Sequence, residues 1–264
     1  MSIIIQTGHS SSHSNTLMNM LYERGLGSPI NSHTHGFSAH EITEKLAKVL
    51  NKNSSIINTK IIDNLIVDLL LANLDQDDWG WADENNLSTL PYWQQMDDNV
   101  RFILIFDSPK LLLKKLLGTQ ITQESVHQAL SDWLNYNQQL LEFFETSATN
   151  CLLVEGDLII NNLSNVKEHI QALTTNLKLK SNWQLQDVST PHSDDTNPMF
   201  EIVATEILKQ YPDCLALYDL LIEKSTIRLK TKQLTNTSNL SSLIDSLNLF
   251  NEQEEIKKKT DNSE

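Results

Sequence analysis

Hydrophobic and polar positions along this chain fall into blocks that switch between two periods. Ser2 to Thr7 carries the β-branched run Ile3-Ile4-Ile5, and a short apolar run of that kind reads as a buried strand. The polar turn Gly8-His9-Ser10-Ser11-Ser12-His13-Ser14-Asn15 follows, and then Leu17, Met20 and Leu21 recur at helical spacing. Gly25, Gly27 and Pro29 fit the end of that helix. Ser38 and Glu41 form a capping box that opens a helix to about Leu50, and residues 57 to 74 predict another, strongly apolar on one face. Trp79 and Trp81, two apart, predict a short strand with one side in the core, followed by a helix with Tyr92 and Trp93. Val100 to Phe106 is the clearest strand. Asp107-Ser108-Pro109 ends it and starts a helix with Pro109 near its first position.

Thr122 opens a long helix through about Ser147, with Trp133, Tyr136, Leu140, Leu141 and Phe144 at helical spacing. Asn150 to Glu155 is a further strand, and Ser164 caps a helix to about Leu177. Strands separated by helices predict parallel βαβ units. The expected fold is therefore α/β: a three-layer parallel sheet flanked by helices, with helical inserts and a helical C-terminal extension. Residues 1–181 would form the α/β domain and 182–198, with two prolines and several acids, a linker or lid. Residues 199–250 would form the helical extension, split at Pro212 and weakly ordered from Gln233 to Ser241. Residues 251–264 would be a disordered tail.

Charge narrows the partners. With 34 acidic and 20 basic residues in 264, the formal net charge is −14, which argues against nucleic acid or an anionic membrane. An anionic ligand would need locally focused positive potential. Cys151 and Cys214 show no metal-like spacing and make no disulfide framework, and a reducing cytoplasm is the simplest inference. The richest apolar segment, Ile61 to Leu74, is interrupted by Asp63, Asn64 and Asp68, so no membrane span is expected. The start of the chain lacks the pattern of a signal peptide.

Strand, polar turn and helix start is the geometry of an oxyanion cradle, because turn amides and a helix N-terminus point at one spot. Gly8, Ser10, Ser11, Ser12, Ser14 and Asn15 are the candidate binding residues. The turn is not a Walker A motif: the Gly-Lys-Ser/Thr positions counted from Gly8 hold His13, Ser14 and Asn15, which argues against an ordinary ATPase or kinase. The plainer alternative is a Ser-rich turn that merely caps a helix. Candidate bases are His13, His33 and His35, since histidine titrates near neutrality, with His9 and His40 weaker candidates. The His33-x-His35 pair has no third ligand in sequence, so no metal site is expected. Trp79, Trp81, Trp93 and Trp133 read as core rather than as a sugar platform.

The order of these motifs resembles the P-loop-fold sulfotransferase family, in particular bacterial members acting on carbohydrates and other small acceptors. The opening strand and 5′-phosphosulfate loop resemble Ile3 to Leu17. The family's Trp-x-Trp-Lys-Asp-Pro-Arg segment and Leu-Pro-aromatic-Trp resemble Trp79-Gly80-Trp81-Ala82-Asp83-Glu84-Asn85 and Leu90-Pro91-Tyr92-Trp93. Its apolar strand running into Arg-Asp/Asn-Pro resembles Arg101 to Pro109, and its Trp-x-x-Tyr-Asn helix resembles Trp133-Leu134-Asn135-Tyr136-Asn137. The resemblance covers roughly residues 2 to 165 and implies 3′-phosphoadenosine 5′-phosphosulfate as donor.

Four cations that the resemblance calls for are replaced here, by Ser11, Ala82, Asn85 and Asp107, the last where an arginine would hold the 3′-phosphate. Lys115 stands where a serine is expected and joins the candidate donor-binding residues. Each lost charge-assisted contact is worth on the order of 2 kcal/mol, so a donor without a 3′-phosphate, or no donor, fits these residues better. Two readings follow. One is a transferase of a sulfuryl or related oxyanion group to a hydroxyl of a glycan or small acceptor. The other is a non-catalytic binding or scaffolding module, a pseudoenzyme whose ligand would be a partner protein. An NTP-dependent kinase is a third.

Overall fold

The computed structural model describes residues 2–51, 56–117, 122–161, 163–173 and 198–227. Four strands form one parallel sheet: β1 (Ser2–Gly8), β2 (Asp78–Ala82), β3 (Val100–Phe106) and β4 (Cys151–Glu155), in the order β2-β1-β3-β4. The helices are α1 (Ser14–Glu23), α2 (Ala39–Asn51), α3 (Ile56–Ala72), α4 (Asn86–Met96), α5 (Pro109–Leu117), α6 (Gln123–Ser147), α7 (Gly156–Asn161), α8 (Leu163–Leu173), α9 (Pro198–Leu208) and α10 (Pro212–Lys224). The expected linker before Pro198 and everything expected beyond residue 227 lie outside the described residues, as do the last four residues of the helix expected to reach Leu177.

Strand period two divides the interior into two layers. Ile3, Ile5, Trp79, Trp81, Phe102, Leu104, Phe106 and Leu153 face one side, where they pack with α2 to α6, α9 and α10. Ile4, Ile103, Ile105, Leu152 and Val154 face the other, against α1, α7 and α8. Strands covered on both faces explain the continuous apolar runs of β1 and β3. All four tryptophans singled out in the sequence are fully buried. Trp79 stacks on Trp81 and Trp93 meets Trp81 edge-on, at centroid distances of 5.6 Å and 5.3 Å.

Buried Asn86 ties this layer to the sheet. Its side-chain carbonyl accepts from Trp81 Nε1 (3.1 Å) and Thr43 Oγ1 (3.1 Å), and its Nδ2 donates to the Gln6 carbonyl at 2.9 Å. The Ser38–Glu41 capping box is present, with Ser38 N donating to Glu41 Oε2 at 2.8 Å and Glu41 N to Ser38 Oγ at 3.2 Å. At the far edge, Ser225 Oγ donates to the Leu153 carbonyl and Thr226 Oγ1 accepts from Leu153 N, so the stretch after α10 is bonded to β4. No helix among the described residues is long and apolar enough to cross a membrane.

The strand order places the site. From β1 the chain moves to β2 on one side, then returns past β1 to β3 on the other. This makes a switch point at the carboxyl ends of β1 and β3, where open parallel sheets bind ligands.

Gly80 is the tightest point of the β1–β2 pairing. A Cβ there would fall 2.1 Å from the Ile4 carbonyl oxygen, a backbone atom that cannot move aside. Gly80→Ala is therefore expected to destabilise the fold by about 3 kcal/mol, as severe overpacking does, read as a lower urea midpoint with an unchanged slope.

Candidate active site

The turn from Gly8 to His13 lies where the switch point puts it. Gly8 is required by close approach, since a Cβ would sit 2.5 Å from Ser12 Oγ and 2.9 Å from the Ile105 carbonyl oxygen of β3. The turn is folded onto itself. Ser12 N donates to the His9 carbonyl (2.7 Å), Ser14 N to Ser12 Oγ (3.3 Å), and Gln6 Nε2 to Ser14 Oγ (3.0 Å). His9 Nδ1 lies 2.7 Å from Ser11 Oγ and accepts from Ser11 N at 3.2 Å, an arrangement suited to a neutral ring. Burial lowers the His9 pKa in the same sense, against the nearby Asp132 charge. Lys115 Nζ reaches back from α5 and donates to the Ser11 carbonyl at 2.8 Å.

His13, not a serine, is the N-cap of α1, and its side chain makes no capping bond. It turns instead to the end of β3. Asp107 Oδ2 accepts from both His13 N (2.9 Å) and His13 Nδ1 (3.0 Å), and the hydrogen bond to Asp107 raises the His13 pKa against the opposing effect of burial. Asp107 is 2% exposed, and its backbone carbonyl accepts from Trp133 Nε1 of α6 at 3.2 Å.

On the other side of the turn lies a cavity of about 290 Å³, lined by Gly8, His9, Ser10, Ser12, Ser14, Asn15, His40, Ala82, Asp83 and Glu84. The last four come from the first turn of α2 and the end of β2. His40 and Asp83 form a pair: Nδ1 donates to Asp83 Oδ2 at 2.8 Å, since a carboxylate can only accept. That bond raises the His40 pKa and leaves Nε2 as the basic nitrogen. Burial works against the Asp83 charge, but hydrogen bonds from His40 and Asn85 outweigh it and hold its pKa low. A turn rich in hydroxyls thus faces a histidine whose tautomer is fixed by a carboxylate.

Of the residues predicted from sequence, Gly8, Ser10, Ser12, Ser14 and Asn15 line this cavity. Ser11 is buried within the turn, and His13 and Lys115 stand behind it, toward Asp107 and α5. His33 and His35 are not among the residues lining it. Both are exposed in the loop after α1, where His35 stacks on Phe37 and lies 3.9 Å from Asp68 of α3. The His40–Asp83 pair has no signal in the sequence, since residues 43 positions apart share no period.

No family model matches the sequence, and no curated protein matches it. Among solved structures, the chain is similar to the sulfotransferase domain from the Synechococcus PCC 7002 olefin synthase, with a TM-score of 0.50 and 16% identity, over 83% of this chain and 93% of that one. This chain has the fold of a sulfotransferase domain. The sulfotransferase domain from the curacin biosynthetic pathway also matches, at a TM-score of 0.43 and 16% identity, over 66% of this chain and 73% of that one.

The His40–Asp83 contact fixes a pH signature. The raised His40 pKa means its protonated form is favoured by folding, so that contribution is full below the ordinary value of 6.5 and is lost as pH rises through the folded value. The Asp83 contribution has the opposite sense, present above 3.8 and lost as pH falls. An NMR titration is expected to place the His40 midpoint above 6.5 and to return it toward 6.5 in Asp83→Asn. The stability gap between wild type and His40→Gln should be about 1 kcal/mol or less, as for exposed ion pairs, and should shrink as pH rises from 6 to 8.

Proposed function

We propose that this protein is a sulfotransferase-fold transferase that moves a sulfuryl or related oxyanion group from a donor lacking a 3′-phosphate to a hydroxyl of a small acceptor, a carbohydrate among the candidates. One observation carries the reading: the hydroxyl-rich turn and the His40–Asp83 pair line the same cavity. The transferring group would lie against Ser10, Ser12 and Ser14, with the start of α1 behind them. His40 Nε2 takes the acceptor proton as the new sulfur–oxygen bond forms. The bond from sulfur to the donor's bridging oxygen breaks, and the donor's phosphate leaves with that electron pair. Asp83 stabilises the imidazolium formed, as a carboxylate does behind a catalytic histidine.

Donor choice follows from the end of β3. A carboxylate about 4 Å from a phosphate costs roughly 4 kcal/mol per unit charge at an effective dielectric near 20, so Asp107 opposes a phosphate placed there. The second reading, a non-catalytic module, is favoured by a different observation. The amides of Ser11, Ser12, His13 and Ser14 all donate within the protein, which leaves fewer to greet a ligand.

Thermal denaturation with nucleotide separates the two. Adenosine 5′-phosphosulfate at a hundred times its dissociation constant is expected to add about 2.7 kcal/mol, while adenosine 3′,5′-bisphosphate and ATP stabilise weakly or not at all. With an acceptor that supports turnover, His40→Gln should lower kcat by about 10²- to 10⁴-fold and leave nucleotide stabilisation intact. Silence from every nucleotide would support the non-catalytic reading, and micromolar binding of the bisphosphate would overturn the donor assignment.

A further inference from the structure

Asp107 stands where a carboxylate is hard to keep. It is 98% buried, and only one of its two oxygens is satisfied: Oδ2 takes both His13 donors, while Oδ1 has no hydrogen-bond partner among the described residues. A buried charged acceptor left unpaired carries its full desolvation penalty. The lysines of α5 do not relieve it. Lys110 and Lys114 pair with Glu201 of α9, and Lys115 is bonded to the Ser11 carbonyl.

A second acid stands beside the first. Gly156 opens α7 directly against the Asp107 side chain, so close that a Cβ there would fall 2.1 Å and 2.4 Å from its two carboxylate oxygens. The next residue is Asp157, whose pKa is raised by burial and by the Asp107 charge. One ligand atom each from His13, Asp107 and Asp157 lie within 4.8 Å of one another. One imidazole nitrogen and two carboxylates, one of them with an orphaned oxygen, make a donor set that can hold a cation.

We infer that His13, Asp107 and Asp157 bind a divalent cation of the borderline class, Zn²⁺ or Mn²⁺, behind the Gly8–His13 turn. Three protein ligands with positions left for water or an oxyanion make an open site of the kind such ions occupy. The 3.0 Å between His13 Nδ1 and Asp107 Oδ2 is near the edge, about 3.3 Å, of a tetrahedron with metal–ligand bonds of about 2.0–2.1 Å. Binding displaces the proton that His13 Nδ1 now shares with Asp107, as metals do at imidazole. The imidazole weighs against Mg²⁺, which prefers oxygen alone, and the carboxylates weigh against soft ions such as Cu(I).

The ligand assignment stands on these contacts. Its role rests on the transferase reading: the ion would offset the Asp107 and Asp157 charges behind the turn, so that repulsion of a second phosphate at the end of β3 would be strongest in the ion-free protein. The test uses the full chain after chelator treatment and no nucleotide, so it fails or succeeds apart from that reading. Calorimetric titration with Zn²⁺ and with Mn²⁺ is expected to show one site for at least one of them, at least tenfold tighter than for Mg²⁺. Co²⁺ as a probe should give visible absorption bands that Zn²⁺ abolishes. Asp157→Asn, an exposed substitution that leaves the circular dichroism spectrum unchanged, should weaken binding at least tenfold, and His13→Gln likewise. Substoichiometric uptake by the wild type, or binding unchanged in both variants, would overturn the site.

Discussion

A single buried carboxylate sets the shape of the switch point. Asp107 cannot remain inside the protein without donors, and the chain supplies them from the backbone and the ring of one residue, His13, 94 positions away. That contact draws the turn after β1 down onto the end of β3. Gly8 must then be glycine, because Ser12 Oγ and the Ile105 carbonyl crowd its α-carbon, and Gly156 must be glycine because the Asp107 carboxylate crowds its own. Trp133 fixes the same residue from α6 through its backbone carbonyl. The turn, two strand ends and two helices thus take their register from one residue. Breaking it by removing one partner would leave a buried charge uncompensated, the costly case for such pairs.

The layers of the fold were legible because burial on both faces of a parallel sheet writes itself as continuous apolar runs. Ile3 to Ile5, Phe102 to Phe106 and Leu152 to Val154 could be little else, and Trp79 and Trp81 showed the face of β2 through their spacing. The turn was half legible. Its glycine and hydroxyls marked a tight strand-to-helix connection, yet the N-cap position of α1 is His13 and not one of the serines. Ser12 Oγ accepts from the Ser14 amide at the start of α1, while the Ser11 and Ser14 hydroxyls bond His9 and Gln6. What sequence did not show were pairs formed across crossovers. His40 meets Asp83 only because α2 returns to the end of β2, and no period links residues 43 apart. His33 and His35 drew notice by lying two apart, but local spacing does not say which way a loop faces. This one turns to Asp68 and Phe37.

The distribution of lysines on α5 shows why net charge alone would mislead. Lys110 and Lys114 are four apart and share one helix face, where both meet Glu201 of α9. Lys115, one residue on, is rotated by about 100° and reaches the turn instead. The helix therefore carries three cations, of which α9 claims two. In the ion-free protein a phosphate arriving at the end of β3 would meet Asp107 and Asp157, and of the three α5 lysines it is Lys115, bonded to the Ser11 carbonyl, that α9 does not claim. On the proposed reading, selectivity against a second phosphate would arise from placement: an acid where the sheet ends, and an acid on a neighbouring helix that pairs with the nearest lysines. The hydroxyls and His40 remain on the cavity side of the turn, where a less charged donor and a neutral acceptor would meet little repulsion beyond that of Asp83 and Glu84. Asp83 accepts hydrogen bonds from His40 and Asn85, and these donors offset part of its charge on the cavity side.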